Sequence, residues 1–573
     1  MYLARASAKG FRRLENLEVR FTKGLNVLVG PNNAGKSAVI DALRVLLTVG
    51  EDGALRVSSD DLRVVKGVKE KDVTFHYVFA GLTDSDEADF LTALKPIPGT
   101  KPVTYEAHIS VRYSESADTS GRMRVKRWCG DHEETPVTAE MLEDLRAVYL
   151  PPLRDPEQGL KPGRGSQLSK LIKGLSDVAS QAEIVKLLKD FDDDLKTKPP
   201  IKNTQTAIVK RHTDMLGELL AQQLKIGLSP TDFLRLASRL SIAISDFEVE
   251  QNGLGYNNLI YMAVVLSELA LNKEAAYCAL IVEEPEAHLH PQLQAVLLDY
   301  LRTVENPADG ENAVQIFVIS HSPNFAALAS IDSISCIYEA EAGVQIFFPR
   351  EIEFEKKKKE KLQRYLNVTR AELFFARRIV FVEGAAELFL VDACAQKLKV
   401  DLRKHAISIL SVEGLNFDCF LPFFSKGFFE IPVAVLTDGD PPKSYPLLED
   451  PPELSAAAKS IESTKNEFIK PFFAIKTLEY DLALHPKNIP TMLSALKDIH
   501  PGIGADLEAA VNAADKNLKA KVLFMGMFER GEGKTNVKKG EFGQALAQAV
   551  LVDKLAFEVP AYISEAFNYV TGK

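Results

Sequence analysis

The sequence predicts an α/β protein built from two parallel-sheet units, the first interrupted by a helical insertion. Three stretches carry that expectation. Gly30-Pro31-Asn32-Asn33-Ala34-Gly35-Lys36-Ser37 matches the phosphate-loop pattern G-x-x-x-x-G-K-[ST] in full, between an apolar run at 25–29 and a helical pattern at 38–47. Ala279-Leu280-Ile281-Val282 is wholly apolar and ends in Glu283-Glu284, the form of a strand buried on both faces with carboxylates at its C-terminal end. Ile379-Val380-Phe381-Val382 repeats that form, ends in Glu383 and opens a second unit.

Composition narrows the class. At 573 residues the chain is too long for one core, and about three or four domains are expected. An apolar content of 46% with 26% charged residues is ordinary for a soluble globular protein. No apolar run reaches the roughly 18 residues of a membrane span, and Met1-Tyr2-Leu3-Ala4-Arg5 lacks the apolar core of a signal peptide. The cysteines are scattered without a C-x-x-C pair, which argues against a zinc module and a disulfide framework and for a reducing cytoplasm. The net charge of −10 does not suit a chain coated with nucleic acid, although a local basic groove suffices for DNA. Lys356 to Lys359 with Lys361 and Arg364 form one basic run, read as a solvated linker helix; Asp190 to Asp194 is its acidic counterpart.

Along the chain, residues 1–150 alternate short β-type runs with turns, as at 73–78 and 105–111. A Pro/Gly/Arg-rich stretch from Pro151 to Gly165 marks a boundary or a functional loop. Helical spacing follows at Leu168, Leu171, Ile172 and Leu175, at Ile184, Leu187, Leu188 and Phe191, and at Leu216, Leu219, Leu220 and Leu224. Strand-type runs return at 279–282, 315–319 and 335–338. A Lys-rich connector near 355–366 leads to the second unit, with strands at 379–382, 407–410 and 433–436, and the last quarter reads as helical.

The first unit has the parts of a nucleotide site. Gly30, Asn32, Asn33 and Gly35 would wrap the phosphates with backbone N–H groups, Lys36 would reach the terminal phosphates and Ser37 would ligate Mg²⁺. Glu283 would hold the same ion and Glu284 would polarise the attacking water. Ile316-Phe317-Val318-Ile319-Ser320-His321 is another apolar strand, and His321 at its end would sense the terminal phosphate. These runs, with Glu283-Glu284-Pro285-Glu286-Ala287-His288-Leu289-His290-Pro291 and Ser320-His321-Ser322-Pro323, resemble ABC-type ATPases of the SMC, RecF and Rad50 group. The resemblance implies ATP hydrolysis across a head-to-head dimer. Asn252-Gly253-Leu254-Gly255-Tyr256-Asn257-Asn258 would be the signature loop, which here lacks the usual serine; Glu283 stands where many relatives have Asp. No sustained heptads separate Ser37 from Ala279, so a long coiled-coil arm is not expected.

The second unit offers carboxylates. Glu383 ends a strand, Glu387 lies one helical turn on, and Thr437-Asp438-Gly439-Asp440 ends another strand. On an extended segment Asp438 and Asp440 share a face. The four form a hard-oxygen set suited to Mg²⁺ or Mn²⁺. Glu383 is the candidate base or bridging ligand in a two-metal phosphodiester cleavage.

This strand-Glu plus Asp-x-Asp layout resembles the Toprim fold. The order of ABC-type head, helical insertion, head completion and C-terminal Toprim unit is similar, over essentially the whole chain, to the OLD (overcoming lysogenization defect) family of nucleases. Within that family it is most like the nuclease subunit of Gabija-type antiphage systems. Further runs fit, including Tyr149-Leu150-Pro151-Pro152-Leu153-Arg154-Asp155, Thr477-Leu478-Glu479-Tyr480-Asp481-Leu482 and Lys538-Lys539-Gly540-Glu541-Phe542. The resemblance implies that Glu479 and Asp481 add metal ligands and that Lys539 stabilises charge on the scissile phosphate, with Lys538 the open alternative. It implies a prokaryotic cytoplasmic DNA endonuclease that uses ATP and Mg²⁺, acts on double-stranded DNA, forms a homodimer or homotetramer and works beside a UvrD-like helicase. The expected division is 1–155 and 241–350 for the ATPase head, 156–240 for the helical dimerisation insertion, 351–376 for a linker and 377–573 for the Toprim domain. The rival readings are a recombination-type ATPase that clamps DNA without cutting it, and a topoisomerase-like strand passer.

Overall fold

Apolar runs of five to seven residues become the strands of two parallel sheets, and the alternating runs before residue 150 become an antiparallel one. The computed structural model describes all residues except 51–53, 117–121, 164, 229–231, 245–246, 341–342, 355, 442–443, 451, 533 and 553–555. In chain order, the first half supplies β1 (Tyr2–Phe11), β2 (Leu14–Arg20), β3 (Leu25–Val29), α1 (Lys36–Leu47), β4 (Asp72–Ala80), β5 (Leu94–Pro96), β6 (Tyr105–Glu115), β7 (Met123–Cys129) and β8 (Leu145–Leu150). The antiparallel sheet runs β2-β1-β4-β6-β5, with β7 on β6. Its period-two pattern turns Phe75, Tyr77, Phe79, Ile109 and Val111 onto a core shared with α1.

After β8 the chain leaves the sheet. The helices Pro156–Leu160 and Gln167–Gly174 pack Leu160, Leu168 and Leu171 near Val264 and Tyr261, so this part of the expected insertion lies against the head. Helices α2 (Val178–Thr197) and α3 (Pro199–Leu216) form a pair without a buried side chain. The pattern that extends a helix through Leu219, Leu220 and Leu224 is not realised. Gly217, at φ +72, ends α3, and Leu219 and Leu220 lie exposed beyond it. The chain returns through α4 (Leu254–Ala270), β9 (Tyr277–Glu283), β10 (Val314–Ile319), β11 (Ile334–Ala340) and β12 (Gly343–Phe347). The head sheet has the order β8-β9-β10-β3-β11-β12, parallel except for β12. The C-terminal ends of β3, β9 and β10 therefore lie side by side, where such a sheet places its ligand.

Helix α5 (Lys356–Tyr365) leads to β13 (Arg378–Val382), α6 (Ala385–Lys397), β14 (Ile407–Ser411), β15 (Val433–Thr437) and β16 (Ile469–Phe473), a parallel sheet ordered β14-β13-β15-β16. It is followed by α7 (Leu478–Leu484), α8 (Lys519–Phe528) and α9 (Lys539–Leu551). The two parallel sheets share one hydrophobic core. Val27, Leu280 and Ile316 of the head belong to the same cluster as Phe381, Phe420 and Phe423, and Leu362 of α5 and Leu366 just beyond it sink into it. Phe347 stacks on Phe429 at 5.8 Å and meets Phe423 edge-on at 5.4 Å, while the Tyr338 hydroxyl donates to the Phe428 carbonyl at 2.6 Å. Among the described residues no helix is long and apolar enough to cross a membrane.

Candidate active sites

The loop from Gly30 to Gly35 turns tightly between β3 and α1. Gly30 lies at φ +143, and a Cβ there would stand 2.0 Å from the Ile337 carbonyl oxygen, so only glycine fits. Asn33 takes a left-handed φ of +63, tolerable for asparagine, and Gly35 one of +105. Arg13 donates to the Asn33 carbonyl and pairs with Glu339, tying the loop to its neighbours. Lys36 is buried and its ammonium donates to the carbonyls of Gly30 and Pro31 at 2.6 and 2.8 Å. Burial lowers its pKa to about 8.

Across the loop, both oxygens of Glu283 are held. Ser37 donates to one at 3.4 Å and the Tyr149 hydroxyl to the other at 2.8 Å. Burial lifts the Glu283 carboxyl above its usual range against the pull of these hydroxyls. The Arg44 guanidinium covers the Tyr149 ring at 3.7 Å and pairs with Asp41 at 2.7 Å. Glu284 follows at φ +48, its N–H donating to the Ile319 carbonyl at 2.8 Å, which brings the ends of β9 and β10 together. Burial and the charge of Lys36 lower the His321 pKa, and Glu284 opposes them; Lys36, Glu284 and His321 thus share one electrostatic neighbourhood.

Several residues that the motifs did not single out build this site. Arg154 donates to the carbonyls of Pro151 at 3.1 Å, Glu283 at 2.8 Å and Glu284 at 3.3 Å, and to the Asn258 side chain at 2.5 Å. One guanidinium thus ties the β9 turn to the start of α4, where Asn252 to Asn258 lie. Glu286 accepts from the Ser320 hydroxyl at 2.7 Å and the His321 N–H at 3.2 Å, while its other oxygen is buried without a partner. The Tyr149-to-Asp155 run was the available signal for Tyr149 and Arg154. Glu286 stood within the Glu-Glu-Pro-Glu run without a role.

The second sheet gathers a different set. Glu383 leaves the end of β13 and accepts from the Thr437 hydroxyl at 2.5 Å and the Asp438 N–H at 2.9 Å. Asp438 accepts from the Leu478 N–H at 3.0 Å, at the N-terminal end of α7. Glu479 is 1% exposed. One of its oxygens takes the Thr477 hydroxyl at 2.9 Å and the Lys539 ammonium at 3.0 Å, and the other is buried without a partner. Burial, then the charges of Glu383 and Glu479, raise the Asp438 pKa, and burial with Glu479 and Glu383 raises that of Glu387. Burial disfavours the Lys539 ammonium, but Glu479, Asp438 and Glu387 hold its pKa above the ordinary lysine value. These five residues therefore form one interacting group.

Two expected members are not among these five. Asp438 and Asp440 can share a face only on extended backbone, and Asp440 lies at φ +44 and is exposed. Gly439 between them packs so closely that a Cβ would stand 2.4 Å from the Ala474 carbonyl oxygen. Asp481 accepts from the Ile475 N–H at 2.9 Å, and burial raises its pKa to about 7. Lys538 and Lys539 are both exposed at the start of α9, and it is the Lys539 ammonium that lies 3.0 Å from Glu479. The oxygen donors and the partnerless buried oxygen of Glu479 fit a hard divalent cation in kind. Among the described residues, no three His, Cys, Asp or Glu side chains are placed so that they could hold one metal ion.

Comparisons with known proteins point to the same two units. Residues 154–326 match a family model described as an AAA ATPase domain, and 6–119 match an AAA domain. Residues 374–440 match the Toprim domain of overcoming lysogenization defect protein-like sequences. The chain is 23% identical over 446 residues to the OLD nuclease of Thermus scotoductus, covering 72% of this chain and 77% of that protein. It is 32% identical over 76 residues to the DNA replication and repair protein RecF of Nitrosococcus oceani, covering 12% of this chain and 21% of that protein. Among solved structures, the C-terminal region of the Burkholderia pseudomallei OLD protein is 26% identical, covers 35% of this chain and 98% of that one, and gives a TM-score of 0.24. An SmcHead bound to the C-winged helix domain of ScpA is 16% identical, covers 63% of this chain and 100% of that one, and gives a TM-score of 0.36.

Proposed function

From the premise that this chain is an ATPase–Toprim protein of the OLD family, we propose that it is a nucleotide-regulated, divalent-metal-dependent endonuclease for double-stranded DNA, acting in Gabija-type antiphage defence. One observation carries the reading. Glu383, Glu387, Asp438 and Glu479 crowd together with Lys539 at the strand ends of a sheet that does not carry the phosphate loop. Such crowding is costly unless positive charge offsets it. Mg²⁺ or Mn²⁺ would be held by these carboxylates, with Asp440 and Asp481 as further candidates, and when bound supplies Lewis acidity and a water of lowered pKa. Lys539 meets the negative charge that gathers on a phosphodiester under attack. Thr437 and the Asp438 N–H orient Glu383 toward its role as base or bridging ligand.

In the head, Lys36 and Ser37 would bind the phosphates and Mg²⁺ of ATP, Glu283 would back that ion, Glu284 would orient water and His321 would report the terminal phosphate. The segment 252–258 would reach the nucleotide of a second copy. The helical pair α2–α3, with Leu187, Phe191 and Met215 exposed, would join copies into a dimer or tetramer. A UvrD-like helicase partner and a cytoplasmic location belong to the same reading.

Supercoiled plasmid incubated with the protein and Mg²⁺ or Mn²⁺, with and without ATP, tests it. Nicked or linear product from the wild type, absent with Asp438→Ala, is the expected result. Plasmid left intact under every condition would refute the nuclease, and relaxation without nicks would indicate strand passage instead.

A further inference from the structure

A pair of lysines, one of them three residues before Glu479, has no role in the cleavage chemistry. Lys476 is only 8% exposed, and its ammonium stands 4.7 Å from the centre of the Tyr445 ring and 5.9 Å from that of Phe524. Lys521, on the first turn of α8, stands 4.8 Å from the centre of the same Tyr445 ring. Among the described residues neither ammonium has a carboxylate or a hydrogen-bond acceptor. This is unusual in a molecule whose net charge is −10. A largely buried cation without an anion is costly, and ring faces offset only part of that cost.

The same short run that builds the carboxylate group also holds this pair. Glu479 faces Lys539. The next residue, Tyr480, meets Tyr445 edge-on at 5.9 Å and Phe524 at 5.6 Å, and its hydroxyl donates to the Pro446 carbonyl at 2.9 Å. Asp481 then fixes the turn that carries Lys476, through the Ile475 N–H at 2.9 Å. The Lys476 carbonyl in turn accepts from the Asp440 N–H at 3.0 Å. One oxygen of Asp481 thereby helps to place a lysine. The Tyr445 hydroxyl donates to Glu529, which fixes the ring that both ammonium groups approach. Along α8, Phe524 meets Phe528 at 5.4 Å, and Phe528 lies 6.0 Å from the Lys539 ammonium. One helix thus connects the lysine pair to the cleavage site.

We propose that Lys476 and Lys521, set over Tyr445, form an anion site that takes a backbone phosphate of the DNA strand being cut, beside the phosphate presented to the carboxylates. The site rests on the nuclease reading and adds to it the means by which the strand is held in register. Two ammonium groups supply the charge, and the aromatic platform suits a sugar or base edge next to that phosphate.

Binding of a fluorescently labelled DNA duplex to the full chain, in chelator so that no cutting occurs, is measured from low to moderate salt. Removing one phosphate-binding cation flattens the log–log salt dependence by about 0.9. Lys521→Ala and Lys476→Met should each flatten it by about that amount, and the double variant by about twice as much. Thermal midpoints separate misfolding from weakened phosphate binding; if Lys476→Met unfolds early, Lys521→Ala alone decides. A wild-type slope and affinity in a folded Lys521→Ala protein would overturn the site. Competition by inorganic phosphate that vanishes in Lys521→Ala, while the duplex slope stays unchanged, would overturn it in favour of a free-phosphate site. A wild type that neither binds nor nicks DNA would overturn the nuclease reading itself. A wild type that nicks normally, with the double variant's slope unaltered, would overturn only the lysine site.

Discussion

Lys36 shows how burial tunes a single residue. Its pKa of about 8 in the free protein means that rising pH strips the ammonium that phosphates require. ATP affinity should hold steady below pH 8 and fall as pH rises above it, by up to about tenfold per unit. Equilibrium binding across pH 7 to 9 checks this, with Lys36→Ala expected to bind weakly at every pH. Without nucleotide the sign reverses: the fold holds fewer protons on Lys36 than the unfolded chain does, so this group's contribution to stability is lost as pH falls through 8. Glu284→Gln should retain ATP binding and slow turnover by about 10²–10⁴-fold, because the water loses its orienting carboxylate; steady-state hydrolysis at saturating ATP reads it. Lys539→Ala should slow plasmid nicking by about 10²–10³-fold while Mn²⁺ binding persists on the carboxylates. Lys538→Ala, at an exposed cap, should nick normally; the reverse pattern would move the role by one residue.

At the scale of elements, the two sites occupy separate sheets, and this makes them separable. Asp438→Ala should abolish cleavage and leave ATP affinity within about twofold of wild type, since Asp438 interacts with Glu383, Glu479, Lys539 and Glu387, all outside the phosphate loop. Loss of both activities in a folded variant would count against that separation. The same division explains what was legible in the sequence. A strand buried on both faces reads as a near-continuous apolar run, interrupted only by Asn26 in β3 and Gln315 in β10, so β3, β9, β10, β13 and β15 and the residues at their ends were visible. Spacing rules failed where a single backbone angle decides. Gly217 stopped α3 before Leu219, and the positive φ of Asp440 undid the i, i+2 expectation. Residues that act across long separations, such as Arg154 on the Glu283 carbonyl and Tyr149 on its carboxylate, show no spacing rule that gives their roles; only the resemblance of the Tyr149-to-Asp155 run drew notice to them.

For the whole molecule the governing feature is the core common to head and Toprim unit. Phe423 lies in that core with no exposed surface and touches Phe347, Phe354, Phe374 and Phe424. Phe423→Ala should cost about 3–5 kcal/mol and lower one cooperative transition. Calorimetry with an ATP-site and a Toprim-site reporter checks it: the reporters should melt together, and two separate transitions would show that the units are independent. The residues of this core come from both sides of the nominal linker, including Tyr338 and Phe347 before it and Phe420 to Phe429 after it. A genetic crossover near residue 376 would therefore sever partners that pack together. A chimera carrying a foreign head would have to import the matching aromatic residues of 420–431, or meet the Toprim sheet with an uncovered apolar face. Evolution can exchange either half only as a co-adapted pair, and protein engineers who wish to transplant the cutting unit inherit the same constraint.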